Sequence, residues 1–278
     1  MTKSRLPPAE TLANNLDSKP KSLYNRPHMK DLLKFGEPNA KLKKMLKELK
    51  LKLKTFTLPA GHSCPAANEC LSCADKNTGK IKDGPNTLFR CFAASAEAVY
   101  PSLRKMVWHN FELLKDALKL DAQAGFENMP HTADLIHNSL PKKFDIMRVH
   151  VGGDYFSKQY LQAWIEVAKR NPEKIFYSYS KSLHFFKEFA LPENLVLTAS
   201  RGGKYDDLID LHGWKEALVV YSEEEATERG LEIDHDDTHA AFGEDNFALL
   251  IHGTQPAGSA ASKALQVIKK KRKEVLIH

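Results

Sequence analysis

Apolar and polar positions change rhythm several times along this chain. Leu42, Met45, Leu46 and Leu49 recur at three-to-four spacing, which predicts an amphipathic helix over 38–50. "LKLKTFTL" (51–58) then alternates, the period of a strand with one buried face. A helical stretch follows over 87–120. Pro101 divides it in two, because proline lacks an N–H and clashes with the preceding turn. "HTADLIHNSL" (131–140) predicts a further short helix before Pro141.

From Phe144 onward, strand-like and helix-like rhythms alternate. "FDIMRVHVG" (144–152) precedes "SKQYLQAWIEVAKR" (157–170), a helix with Tyr160, Leu161, Trp164, Val167 and Ala168 on one face. "KIFYSYS" (174–180) precedes "SLHFFKEFA" (182–190), and "LVLTASR" (195–201) precedes "KYDDLIDLHG" (204–213). "ALVVYS" (217–222) precedes "EEEATERG" (223–230), and "FALLIHG" (247–253) precedes "SAASKALQVIKKK" (259–271). Repeated strand-then-helix units predict parallel strands joined by crossover helices. With the strand at 51–58 the count is six, which suits a doubly wound sheet or a partial barrel. The expected fold is α/β, a partial (β/α)6-type parallel barrel over 51–278. A basic N-terminal extension over 1–50 precedes it, a polar, proline-bearing arm followed by the amphipathic helix.

Both architectures carry function at the C-terminal ends of their strands. The residues that follow the predicted strands are polar or glycine. Asp154, Lys181 and Arg201 are the candidate catalytic side chains, and Gly152, Gly153, Ser180, Ser200, His252, Gly253 and Gln255 are candidate cofactor-binding positions. The cysteines follow the first strand, so they belong to the same rim.

Composition adds a compartment and a chemistry. No apolar run approaches the roughly 20 residues of a membrane helix, and the N-terminus has no apolar core of a secretory leader, so a cytoplasmic protein is expected. In a reducing compartment, clustered cysteines favour a metal or redox role over disulfides. Cys64, Cys70 and Cys73 lie within "TLPAGHSCPAANECLSCADKNTG" (57–79), and Cys91 follows in "TLFRCFAAS". Only Cys70 and Cys73 form the close pair that zinc ribbons use twice. Iron–sulfur clusters accept looser spacing on a wrapping loop, so the four cysteines read first as ligands of a [4Fe–4S] cluster, with zinc as the alternative metal. His62 and His109 read as ordinary polar histidines rather than ligands.

The net charge of +6 is concentrated in "KLKKMLKELKLKLK" (41–54) and "KKKRK" (269–273). Such runs can attract nucleic acid, although a solvated surface is the plainer account. "DHDDTH" (234–239) packs carboxylates and imidazoles as a hydrolytic metal site would, but it precedes the last strand, on a loop at the rim opposite the cysteines. "HGTQPAGSAASKAL" (252–265) could bind an anion through helix-start amides, or Ser259 could simply cap that helix. The alternating rings of "IFYSYSKSLHFF" (175–186) read as core packing, with base stacking the second account.

Two resemblances extend this reading. "FGEPNAKLKK", "LPAGHSCPAANECLSC", "FRC", "RVHVGGDYFSKQYLQAWIEVAKRNP", "LTASRGGKYDDLI", "IDHDDTHA" and "LLIHGTQPAGSAASKAL" resemble the phage-associated "gene product 88" domain family. That resemblance implies phage or prophage origin, hence the cytoplasm of an infected or lysogenic host cell. The order of parts is similar to that of radical S-adenosylmethionine enzymes, in which three cysteines hold a [4Fe–4S] cluster and a Gly-Gly-Glu strand end receives the cofactor's amino group. By that match Cys64, Cys70 and Cys73 hold the cluster, and Gly152 and Gly153 approach S-adenosylmethionine. The first cysteine gap is five residues here rather than three, the acid is Asp154, and Cys91 stands as a potential fourth ligand that would close the cluster. The expected function is a radical S-adenosylmethionine-like enzyme acting on a substrate that includes nucleic acid among its candidates. The alternatives are a nucleic-acid-binding phage protein with a structural cluster or zinc, and a metal-dependent nuclease using Asp234, His235, Asp236 and His239.

Overall fold

A computed structural model describes residues 31–39, 42 and 50–275, apart from the side chains of Lys273 and Val275. The expected arm over 1–30 and most of the expected helix over 38–50 lie outside the described residues. In chain order, β1 (Leu53–Thr55) leads to a hairpin of β2 (Ser72–Ala74) and β3 (Ile81–Asp83), and then to helices α1 (Phe92–Val99), α2 (Pro101–Gln123) and α3 (Pro130–Ser139). Alternation follows: β4 (Ile146–Val149), α4 (Lys158–Lys169), β5 (Ile175–Ser180), α5 (Leu183–Phe186), β6 (Leu195–Ser200), α6 (Asp207–His212), β7 (Glu216–Val220) and α7 (Glu223–Glu228). The chain closes with β8 (Glu232–Ile233), α8 (Thr238–Phe242), β9 (Phe247–Leu250) and α9 (Ala260–Val275).

Seven strands make one sheet in the order β1-β4-β5-β6-β7-β9-β8, and every pair in it is parallel. From β1 to β7 the sheet grows in one direction, since each crossover brings the chain back to start the next strand beside the last. The fold is therefore α/β with a parallel sheet, as the alternating rhythm predicted. Two features are additions: the hairpin inside the cysteine segment, and β8 at the sheet edge beyond β9. Their strands have two or three residues, too few to establish a period.

Side chains alternate across β4 and β5. Met147, Val149 and Phe176 enter a core shared with Leu114 of α2, Leu135 of α3 and Leu161 and Trp164 of α4. Helix α4 begins at the Ser157 hydroxyl, which accepts the Tyr160 N–H at 3.1 Å and satisfies an amide the helix leaves free. Pro101 opens α2 at a position where its missing N–H costs nothing. Ile146 and Tyr177 point to the opposite face, where Ala240 and Ala241 of α8 pack. The rings of β5 thus serve core packing.

That second face corrects the expectation for "DHDDTH". The segment lies against the sheet rather than on a rim loop. The Asp237 carboxylate accepts from Arg148 Nη1 at 2.5 Å and from the Tyr177 hydroxyl at 3.1 Å. The Arg148 guanidinium sits 4.9 Å from the Tyr179 ring centre. A desolvated arginine in the middle of β4 needs a carboxylate, and the turn before α8 delivers one. Asp234 Oδ1 accepts the amides of Asp236 and Asp237, and His239 Nε2 meets the Glu232 carboxylate at 3.0 Å.

Candidate functional site

The cysteine loop is drawn over the strand ends by three separate elements. The end of β4 is the first. Leu58 N–H donates to the Gly152 carbonyl at 2.9 Å. A Cβ on Gly152 would stand 2.6 Å from Ala93 Cβ, and one on Gly153 would stand 2.5 Å from Ser63 Oγ and 2.6 Å from Leu58 Cβ. Gly153 also has φ +82°, which side chains rarely adopt. Both glycines are thus accounted for by the close approach of the cysteine loop. Gly153→Ala is expected to lower stability by about 2–4 kcal/mol, from strain plus overlap, in denaturant unfolding. Gly213→Ala, at φ +60° with nothing within 4 Å, is the control and should lose only about 1–2 kcal/mol.

The end of β6 is the second. Glu69 N–H donates to the Gly202 carbonyl at 3.0 Å, Lys204 N–H donates to the Ala66 carbonyl at 2.9 Å, and Ala67 bridges Gly203. The end of β9 is the third, and it holds the segment that carries Cys91. Gln255 Oε1 accepts the Arg90 N–H at 2.8 Å, while its Nε2 donates to the carbonyls of Arg90 at 3.1 Å and His252 at 2.9 Å. The His252 ring lies 4.7 Å from that of Phe92, and a Cβ on Gly253 would stand 2.9 Å from Phe92 Cβ. His252, Gly253 and Gln255 therefore buttress the cysteine segment. Cys91 N–H donates to Ser72 Oγ at 3.3 Å, which ties it to β2.

All four cysteines are free and half-buried. Burial pushes the Cys64 thiol well up, and Asp154, Cys91 and Cys70 push it further. Burial pushes Cys91 up to about 12, with Cys70 adding and the Ala93 and Ala94 amides at the start of α1 opposing. Cys70 is raised by burial and by Asp154, against the Lys181 ammonium. Cys91 thus lies within electrostatic reach of Cys64 and Cys70 although it follows a long insertion. Cys73 is raised by burial and then by Glu97. Its sulfur flanks Gly61 (φ +72°), where a Cβ would stand 2.3 Å from Sγ, and the Gly61 amide faces the Cys64 sulfur from the same turn. Among the described residues, no group of three or more His, Cys, Asp or Glu side chains stands close enough to hold a metal ion. Raised by burial, the four thiols are protonated at neutral pH.

Beside Cys64 and Cys70 stands the polar rim. The buried Asp154 carboxylate accepts at Oδ1 from Ser180 Oγ (2.7 Å) and Tyr155 N–H (2.7 Å), and at Oδ2 from the amides of Lys181 (2.9 Å) and Ser182 (3.2 Å). Burial raises its pKa, and these donors oppose the rise. Lys181 Nζ donates to the Ser200 carbonyl and hydroxyl, both at 2.9 Å, and to the Arg201 carbonyl at 2.5 Å. Asp154, Ser180, Lys181 and Ser200 thus form one connected group. The Arg201 side chain leaves it: its guanidinium binds the carboxylates of Glu216 and Asp210.

His62 Nε2 meets the Ala74 carbonyl and His109 Nε2 the Leu32 carbonyl, both at 3.0 Å, as expected of ordinary polar histidines. Ser259 Oγ accepts the Ser262 N–H at 3.1 Å, so it caps α9. On α9, Lys269, Lys270 and Arg272 are exposed, and Lys271 pairs with Glu224. An open groove of about 620 Å³ between α2 and α4, lined by Phe126, Met129, Lys158 and Phe189 among others, contains none of the predicted site residues. The sequence reading passed over Ser72, Ser182 and Glu97. Of these only Glu97 left a signal, as the one charged residue in the small-residue helix that follows Cys91.

The architecture defines an α/β protein whose four cysteines are collected on a loop bound to the strand-end rim of a parallel sheet. The chain belongs to the "Gene product 88" family, whose profile matches residues 30–270. It is 33% identical over 93 residues to the Gene 88 protein of Mycobacterium phage L5, covering 33% of this chain and 38% of that protein. Against the Gene 88 protein of Mycobacterium phage D29 it is 32% identical over 92 residues, again 33% of this chain and 38% of the relative. The matched region thus spans well under half the length of these relatives. No solved structure matches the chain. Among the described residues, no helix is long and apolar enough to cross a membrane.

Proposed function

We propose that the cysteine loop carries one iron–sulfur cluster, with Cys64, Cys70, Cys73 and Cys91 as its ligands. The observation that carries this reading is the hydrogen bond from the Cys91 N–H to Ser72 Oγ, which ties Cys91 to the segment between Cys70 and Cys73, with its charge acting on Cys64. The donor set fits the group. Four free thiols lie on a wrapping loop, and amides of Gly61, Ala93 and Ala94 face two of the sulfurs, as hydrogen bonds to cluster ligands do. Zinc would take the same thiolates in a structural role. We read the sheet as a partial (β/α) barrel, supported by strands that advance in one direction from β1 to β7.

A second reading keeps an enzyme. With Cys64, Cys70 and Cys73 as the ligands and Cys91 a spare thiol, a cluster would leave one iron open to S-adenosylmethionine. Asp154 and Lys181, whose charges act on Cys70, would then face that cofactor, and the exposed Lys269, Lys270 and Arg272 would favour a nucleic-acid substrate. The nuclease reading is weaker, because Oδ1 of Asp234 and of Asp236 is used in turns, Asp237 pairs with Arg148 and His239 faces Glu232.

Anaerobic purification with iron and sulfide analysis tests both. The wild-type protein should be brown, with near-stoichiometric iron and sulfide, and Cys91→Ala should lose most of both. A colourless protein holding one zinc would sink the cluster. Full iron retention in Cys91→Ala, together with loss in Cys73→Ala, would select the enzyme reading.

A further inference from the structure

We infer that Glu97 supplies an oxygen ligand to the metal centre of the cysteine loop, beside Cys73. This rests on the reading that the cysteines hold a metal, and it gives Glu97 the place of one of the four thiolates, because a four-coordinate cluster iron or zinc has no fifth position. Glu97 lies on α1, the helix that Cys91 begins, and it is only 1% exposed. Its Oε1 accepts the Ala60 N–H at 2.8 Å. That bond fixes the carboxylate at the turn formed by Ala60 and Gly61, against which Cys73 Sγ also packs. The second oxygen, Oε2, is buried and has no hydrogen-bond partner.

An unpartnered carboxylate oxygen in a buried site is uncommon, because its desolvation is not offset. The nearest guanidinium does not satisfy it. Arg104 gives its N–H groups to main-chain carbonyls instead: Nη1 to Glu97 at 2.5 Å, Nε to Lys76 at 3.1 Å and Nη2 to Asn77 at 3.4 Å. Glu97 is also the first charged group, after burial, to act on the Cys73 thiol, and it acts on Cys91 as well. The Glu97 carboxyl and the Cys73 sulfur are therefore held against the same Ala60–Gly61 turn, and Oε2 is left without a donor. A transition-metal ion, alone or as the iron of a cluster, accepts thiolate and carboxylate together.

Cobalt(II) binding to the full, thiol-reduced and metal-stripped chain tests this. Thiolate-to-cobalt absorption in the near ultraviolet reports the sulfurs, and the visible bands report the whole ligand field. In the wild-type chain both should appear and saturate near one equivalent. Glu97→Gln, which can still accept from Ala60, should weaken cobalt binding at least tenfold and shift the visible bands while leaving the thiolate absorption unchanged. Its unfolding midpoint without metal should stay close to wild type, which separates ligand loss from misfolding. Affinity and visible bands equal to wild type would overturn the inference and leave Glu97 as a cap for the Ala60 amide. If the wild-type chain gives no thiolate absorption, the cysteine reading itself falls, and this inference with it. Anaerobic reconstitution with iron and sulfide forms the second arm: lower iron retention in Glu97→Gln than in wild type is expected, and equal retention with an unchanged visible spectrum would count against an iron–oxygen bond.

Discussion

Asp237→Ala is expected to lose about 3–5 kcal/mol of folding stability, because it strands a buried guanidinium. The Arg148 side chain is 12% exposed and that of Asp237 1%, so water cannot replace the lost carboxylate. Arg148 Nε already lacks a partner, and burial alone would lower the arginine's pKa; the Asp237 charge reverses that and holds it above its ordinary value. The Tyr177 hydroxyl would lose its acceptor in the same step. The backbone adds to the effect, since Asp237 has φ +69°, a conformation that aspartate and asparagine tolerate better than alanine. Asp237→Asn should therefore cost less than Asp237→Ala, by about 1–2 kcal/mol. Arg148→Met combined with Asp237→Asn should recover most of the loss, because no unpaired charge remains. Urea unfolding at neutral pH measures all three. A loss under about 1 kcal/mol in Asp237→Ala would mean that the pair is not desolvated as described.

Acid should remove stability through His150. This residue closes the end of β4 with φ +65°, is buried against Tyr155 and Tyr160, and meets the Tyr160 hydroxyl through Nε2 at 3.0 Å. Burial pushes its imidazole down to about 3 from an ordinary 6.5. Between those values the unfolded chain binds a proton that the folded chain refuses. Stability is therefore fully present above about pH 6.5 and is lost as pH falls toward 3, by at most about 5 kcal/mol for this group. His150→Asn keeps a residue that accepts positive φ and removes the titration. Its unfolding free energy should fall less steeply between pH 6.5 and 4 than that of the wild type. Parallel slopes would assign the acid sensitivity to other groups.

The sequence was most readable where elements were long. The five strand-then-helix units after Phe144 repeat a period change that few other folds produce, and the helices α4 and α9 carry serine caps visible in the text of the chain. The strands of β2, β3 and β8 and the short α8 carry no such period. Pairings between distant residues were also silent. Nothing in "IMRV" says that its arginine will meet an aspartate 89 residues later, and so "DHDDTH" read as a loop or a metal site. The glycines at 152 and 153 were legible as a place of close approach, but not what approaches; the structure gives Ser63, Leu58 and Ala93. The cysteines were legible from their clustering. That Cys91 would be tied back to the loop depends on the hairpin, whose Ser72 accepts the Cys91 N–H.

The clamp of Gln255 on Arg90 spans 165 residues, and this separation sets a schedule for synthesis. A ribosome delivers the cysteine loop early and the glutamine late, because chains emerge from the N-terminus. While β9 is still unmade, the segment bearing Cys91 lacks that clamp, and its thiol is more open to oxidants. A prematurely terminated chain that lacks residue 255 would keep that thiol unclamped and would be a reactive by-product.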